Sequence, residues 1–284
     1  MSRLLLLALL AAPEGGRIWS DAHGVGVTLP RTWTVKARDR EGTIVEADGP
    51  PLGRAIPHLV LRDAGAANGE TVMALAKRLA DGLAQRPGWR ITAMPRTRIG
   101  AFPAVRVGIS MAVDGTRARA RFTVALLGGR YVTLELSAAA SHFPGATFDA
   151  VEQSLEVKWE ERKLPGGVLL HLPPGWMGEG SGEGVRVHAP RIGDAPSLLF
   201  LAPDGGKEAL PPEGAQPGPK VSMFGKRHPG FVGSREEEGR VLRLCWVHAE
   251  GWTGVFIGPE SAWEDLFPTA EAILDRLRAA PSGT

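Results

Sequence analysis

Gly26-Val27-Thr28-Leu29-Pro30-Arg31-Thr32-Trp33 runs an apolar alternation into a proline and then a tryptophan, and Leu170-His171-Leu172-Pro173-Pro174-Gly175-Trp176 does the same further along the chain. Alternation at period two is the mark of a strand with one buried face. Proline cannot donate to a strand ladder, so it ends each strand, and the bulky indole that follows is placed to cover the edge or core of a sheet. Each copy also closes alike. An aromatic strand (Tyr131, Val132, Leu134, Leu136; Trp252, Val255, Phe256, Ile257) precedes a helix opening near Phe148 or Phe267. Two copies of one kind of domain are the reading that follows.

Between these landmarks the first copy alternates strand and helix signals. Residues 18–30 read as extended, Ile44, Val45 and Ala47 as the next strand, and 58–62 as another, with Leu59 and Leu61 on one face before Asn68-Gly69 turns. Over 71–83 the period changes. Val72, Leu75, Ala76, Leu79 and Leu83 recur at helical spacing while Lys77, Arg78 and Asp81 face water, which predicts a covering helix. After Trp89 period two returns: Val105, Val107, Ile109 and Met111 share a face, Asp114-Gly115 turns, 117–125 comes back, and Gly128-Gly129 turns again. This predicts a meander. Thr147 or Asp149 would cap a helix that buries Val151 and Leu155, with Trp159 in or just past its last turn.

Residues 160–166 read as a linker, giving a division into 1–16 (leader and lead-in), 17–159, and a divergent copy over 167–280. In that copy, strands are expected at 168–173, 185–189, 198–201, 241–247 and 253–257. Where the first copy has its covering helix, the second has Pro203, Pro211, Pro212, Pro217 and Pro219, which deny a helix its amides. Helical character returns over 260–280 through Ala262, Leu266, Ala270, Ile273 and Leu277, with Pro268 interrupting it or opening a fresh helix. The fold class is therefore α+β: tandem domains, each an antiparallel sheet flanked by helices, with a reduced helical layer in the second.

These features resemble the PsbP-like superfamily and its DcrB-like bacterial relatives. The resemblance rests on Gly26 to Trp33, the helix near 72–83, the meander through 130–136 and the helix after Phe148, with Leu172, Pro173, Gly175 and Trp176 opening a second, divergent copy. It implies antiparallel sheets flanked by helices in proteins that include photosystem accessory proteins, envelope proteins and chaperones of secretion effectors. It implies no enzyme and no cofactor.

Composition bounds function from another side. Two domains of this size can each bury a core, and 43% hydrophobic with 23% charged residues is the balance of a globular chain. A net charge of +2 without a long basic tract gives no nucleic-acid footprint. The one cysteine, Cys245, lies between Leu244 and Trp246 in a strand pattern and reads as a buried thiol. At the N-terminus, Arg3 precedes an apolar run over 4–12 that is too short to span a bilayer and fits a secretory leader. Its alternative is a cytoplasmic strand or helix, since no small-x-small cleavage pair precedes Pro13. No cysteine follows for lipid attachment, so the expected mature protein is periplasmic or secreted, free, and without a transmembrane segment.

Catalytic patterns are weak. Residues 178–184 are glycine-rich but carry no Walker lysine and no nucleophile-elbow frame. The histidines His23, His58, His142, His171, His188, His228 and His248 show no metal-ligand spacing. Asp21 and His23 could share a strand side, yet no serine or cysteine nucleophile is placed with them.

One polar pattern is sharper. Arg117, Arg119 and Arg121 alternate with Ala118, Ala120 and Phe122, so a strand presents three guanidiniums on one face, and a two-residue turn at Asp114-Gly115 brings Arg106 onto it. This face could grip an acidic protein surface or anionic head groups, or be a solvated face balanced by Glu135 and other carboxylates. A second expected site is an apolar groove near Trp252, left open by the reduced covering layer of the second copy, unless residues 203–219 fold over it. The leading functional expectation is a noncatalytic envelope or secretion-associated module binding a protein or peptide partner. The alternatives are a structural component of an envelope assembly and an enzyme with a nonlocal site.

Overall fold

The alternation at Val27 and Leu29 does build a strand. In the computed structural model, which describes residues 16–52, 56–113, 116–164, 167–181, 184–204 and 210–279, Val25–Thr28 pairs antiparallel with Arg17–Ser20 on one side and Glu156–Val157 on the other. The chain then turns, Trp33 N–H donating to the Pro30 carbonyl at 2.9 Å, and enters a large antiparallel sheet. The order of that sheet is Thr34–Arg40, Thr43–Asp48, His58–Ala66, Arg130–Ala139, Thr116–Leu127, Phe102–Val113, Arg90–Ala93, with Arg96–Ile99 also paired to Phe102–Val113.

The second half repeats this order. Glu160–Leu164, Val168–Leu172 and Arg278–Ala279 form the small sheet, and Trp176 N–H donates to the Pro173 carbonyl as Trp33 does to Pro30. The large sheet then runs Met177–Ser181, Gly184–His188, Leu198–Pro203, Trp252–Pro259, Arg240–Ala249, Gly230–Glu237, Gln216–Pro217. Three strands outward, then four returning in reverse order, is the same topology in both halves. The repeated phrase sits at the same place in each. One expectation is corrected here: residues 160–164 are the first strand of the second small sheet, where a linker was expected.

Helices differ between the halves as the prolines require. Helix α1 (Val72–Ala84) is capped by the Thr71 hydroxyl, which accepts from Ala74 N–H at 3.1 Å, and buries Val72, Leu75, Ala76 and Ala80. In the second half the described residues between Leu198–Pro203 and Gly230–Glu237 hold no helix; they carry the short strand Gln216–Pro217 and the hairpin Val221–Met223 with Lys226–His228. Helix α2 (Gly145–Gln153) begins just after Pro144, earlier than Thr147 or Asp149 would place it, because Phe148 anchors its first turns in the core against Phe143 and Trp33. Helix α3 (Trp263–Asp275) passes through Pro268 instead of breaking there. Its buried stripe of Leu266, Ala270, Ile273 and Leu274 outweighs one lost amide hydrogen bond.

Two hydrophobic clusters result. One lies wholly in the first half, between the small sheet, α2 and the large sheet, around Trp33, Leu59, Leu61, Leu134, Leu136 and Phe148. The other is shared: Val72, Val107 and Ile109 of the first half pack into one core with Leu170, Trp176, Phe256 and Trp263 of the second. Polar contacts cross the same junction. Asp265 of α3, buried to 1%, accepts from Val72 N–H at 2.7 Å and pairs with Arg96 at 2.8 Å, so its carboxylate serves as an extra cap on α1. Gly175, at φ +81°, approaches Gly129 so closely that a Cβ would lie 2.5 Å from the Gly129 Cα. No helix among the described residues is long and apolar enough to cross a membrane.

Candidate functional site

Strand alternation puts the predicted arginines where the sequence implied. Residues 114–115 lie outside the described residues, but the flanking strands close on the pair Val113 and Thr116, and the ladder then sets Arg117 opposite Ala112, Arg119 opposite Ser110, Arg121 opposite Gly108, and Arg106 opposite Thr123. All four arginines therefore share one face. The neighbouring strand adds a fifth, since Arg90 pairs with Ser110 from the other side. A cross-strand row Arg90, Ser110, Arg119 spans three strands.

Helix α2 divides the five. Glu152, fully buried, accepts from Arg106 at 2.7 Å, Arg121 at 3.2 Å and the Thr123 hydroxyl at 3.2 Å, while half-exposed Asp149 lies 2.6 Å from Arg121 and 3.3 Å from Arg106. These two guanidiniums are structural. Arg90, Arg117 and Arg119 are exposed and have no carboxylate within 4 Å among the described residues. One cavity of about 450 Å3 lies over Gly108, Ser110 and Phe143 beside Arg106, Arg119 and Arg121, and an adjoining one of about 550 Å3, sharing Ser110 and Arg119, is lined by Arg90 and Arg117; together they form the arginine groove. Ser110 and Ala112 lie at its base, while the Thr92 hydroxyl covers Gly108, where a Cβ would lie 2.6 Å from Thr92 Oγ1.

Two sequence expectations change. Glu135 does not balance the arginines: it pairs with Phe122 and Val60 and so belongs to the opposite face of the sheet. Trp252 does not line an open groove; it is 7% exposed, paired with Ala249 and Pro203, within the shared core. The other rings of the second half are used internally as well, Phe231 against Trp246 and Trp263 stacked on Phe267 at 4.8 Å. Nothing in the sequence patterns singled out Arg90 or Glu152, and Asp149 was expected only as a helix cap. Arg90 opens a strand with a bulge between Ile91 and Ala93, so its register is not written in local alternation, and the two carboxylates sit three apart on α2, a spacing that marks one helix face and would have been the only clue.

A second polar cluster tests the catalytic alternative. His23 Nδ1 lies 2.8 Å from Asp63, Asp63 also engages Arg130, and the buried Ser20 hydroxyl donates to Asp39. Asp21 instead accepts from the Trp19 indole at 2.9 Å. Burial pushes the Asp63 carboxyl up, but the Arg130 guanidinium, the Gly65 N–H and His23 outweigh it and hold it below the usual carboxylate range. Ser20 is committed to Asp39 and accepts only from the His23 backbone N–H, so it does not stand on the His23 ring as a nucleophile. Burial, and to a lesser degree Glu271, pushes the Cys245 thiol up to about 12, which keeps it protonated and unreactive. Among the described residues no group of three His, Cys, Asp or Glu side chains is placed to hold a metal ion.

No protein-family model matches the chain, and no curated protein matches it. Solved structures give distant likenesses. CyanoP, the cyanobacterial PsbP of Synechocystis, aligns at 13% identity and a TM-score of 0.41, over 55% of this chain and 100% of its own. LpqN of Mycobacterium tuberculosis, described as involved in cell envelope biogenesis, aligns at 12% identity and a TM-score of 0.37, over 51% of this chain and 91% of its own. A Bacteroides thetaiotaomicron protein aligns at 16% identity and a TM-score of 0.38, over 56% of this chain, which spans about half (53%) of that protein's length.

Proposed function

We propose that this chain is a noncatalytic protein-binding module of the cell envelope, and that its arginine groove takes an acidic, extended segment of a partner protein. The row Arg90, Ser110, Arg119 with Arg117 beside it carries the reading. Like charges grouped without carboxylates repel one another, and an incoming acidic chain relieves that repulsion while water does so only partly. Guanidinium forks also match carboxylates in bidentate geometry. Side chains on one face of a strand recur every 6–7 Å or so, which fits an extended partner bearing acids at alternate positions. The apolar run over 4–12 behind Arg3 supports export, although it lies outside the described residues.

Immobilised protein and its Arg90→Glu, Arg119→Glu variant, each exposed to a fractionated cell extract, test the binding role. A protein held by the first and released by the second supports it, and identical retention on both contradicts it. Intact-mass measurement of natively expressed protein tests the location. A soluble cytoplasmic product that keeps residues 1–12 would overturn export.

A further inference from the structure

The opposite face of the same sheet carries a second cavity, of about 400 Å3, between α1 and the strands. Its floor is apolar: Leu79 and Leu83 from α1, Trp89 beyond it, and Ile109 and Phe122 from the sheet. Its mouth is charged. Arg62, Arg78 and Arg86 line it together with Glu135, and Arg86 lies over the Trp89 ring at 4.8 Å. Arg78 is held by Glu70 at 3.0 Å, so three guanidiniums against two carboxylates leave the rim one positive charge in excess.

Gly82 is the informative residue. It sits in the last turn of α1, and glycine is among the poorest helix formers. Its backbone is not left-handed, and a Cβ there would meet nothing within 4 Å. Neither conformation nor close packing requires a glycine, and its effect is to leave the cavity open. A volume in the range of small-ligand sites, an apolar floor and a few convergent charges are the features of a ligand pocket.

We propose that this cavity binds a single-chain anionic amphiphile, with the alkyl chain lying on Leu79, Leu83 and Phe122 and the anionic head at Arg62 and Arg86. The site is separate from the arginine groove and does not rest on it. Calorimetric titration of the full chain with decanoate, against decyltrimethylammonium as the cationic counterpart, tests it. Decanoate should bind saturably at one per chain, about tenfold or more weaker in Arg62→Gln, Arg86→Gln, and not at all in Gly82→Leu, which fills the cavity with a better helix former. Arg90→Glu, Arg119→Glu should bind decanoate as the parent does. Equal binding of the cationic counterpart, undiminished binding in Gly82→Leu, or uptake that never saturates would overturn the proposal. Should Gly82→Leu fail to fold, the double arginine variant decides alone: unchanged affinity rejects the anionic head.

Discussion

Glu152 shows how much one side chain decides. Fully buried, it collects Arg106, Arg121 and Thr123 and so converts half of an apparent docking face into a structural ion cluster. Glu152→Gln should lower stability by about 2–3 kcal/mol in urea unfolding, since hydrogen bonds to a charged acceptor are lost while Asp149 still holds both arginines. Arg121, bound to Glu152 and Asp149, is for the same reason a poor residue to reverse in a binding test, because its loss would be read in folding. Cys245 supplies a pH signature. Its folded thiol titrates near 12 against an ordinary 9.0, so the folded state keeps a proton that the unfolded state releases. That contribution to stability is intact below about pH 9 and falls away as pH rises towards 12. Cys245→Ser should flatten the alkaline part of the stability profile, and native protein should resist iodoacetamide at pH 8.5 until denaturant is added. Rapid native alkylation would contradict the buried setting.

At the scale of elements, local period was sufficient for much of the fold. The spacing of Val72, Leu75, Ala76 and Leu79 defined α1 to within a residue or so, and the meander from Phe102 to Ala139 followed from alternation and two turns. The proline run accounts for the lack of a covering helix among the described residues there. Local period failed where tertiary packing took over: α3 runs through Pro268, and residues 160–164 form a strand although charged residues fill them, because Val168–Leu172 offers a partner edge. The arginine face was legible because its register depends on one short hairpin. Arg90 was not, because the Ile91 and Ala93 bulge and the further strand Arg96–Ile99 separate it from the strand it pairs with. Trp33, read as a covering ring, is 3% exposed, edge-on to Phe148 at 6.1 Å. Trp33→Ala should therefore cost roughly 3–5 kcal/mol, measured by chemical unfolding, and a loss under 1 kcal/mol would show that the ring is not part of the core.

For the whole molecule, two copies of one topology do not imply two independent units. The shared core and the Asp265 cap on α1 join the halves through residues that neither half satisfies alone. We therefore propose the division near residues 160–166 as a repeat boundary, and predict one cooperative transition by calorimetry, with calorimetric and van't Hoff enthalpies equal. Asp265→Ala should lower that transition by about 3–5 kcal/mol, leaving Arg96 and the α1 N-terminus without their buried partner, and two separate transitions in the parent protein would contradict the coupling. A fragment ending at Lys158 retains the cluster around Trp33 and should fold, but with exposed apolar surface where the second half packs.

The measurement that bears most directly on the proposed docking role is a fluorescence anisotropy titration with a labelled peptide of alternating Asp and Ser residues. The account predicts saturable binding at low salt that weakens steadily as ionic strength rises, because exposed charges are screened over about 10 Å at 0.1 M. It further predicts a loss of about tenfold or more in Arg117→Glu, Arg119→Glu with circular dichroism and melting unchanged. Equal affinity of parent and variant at low salt, or binding indifferent to salt, would contradict the arginine groove as the docking site.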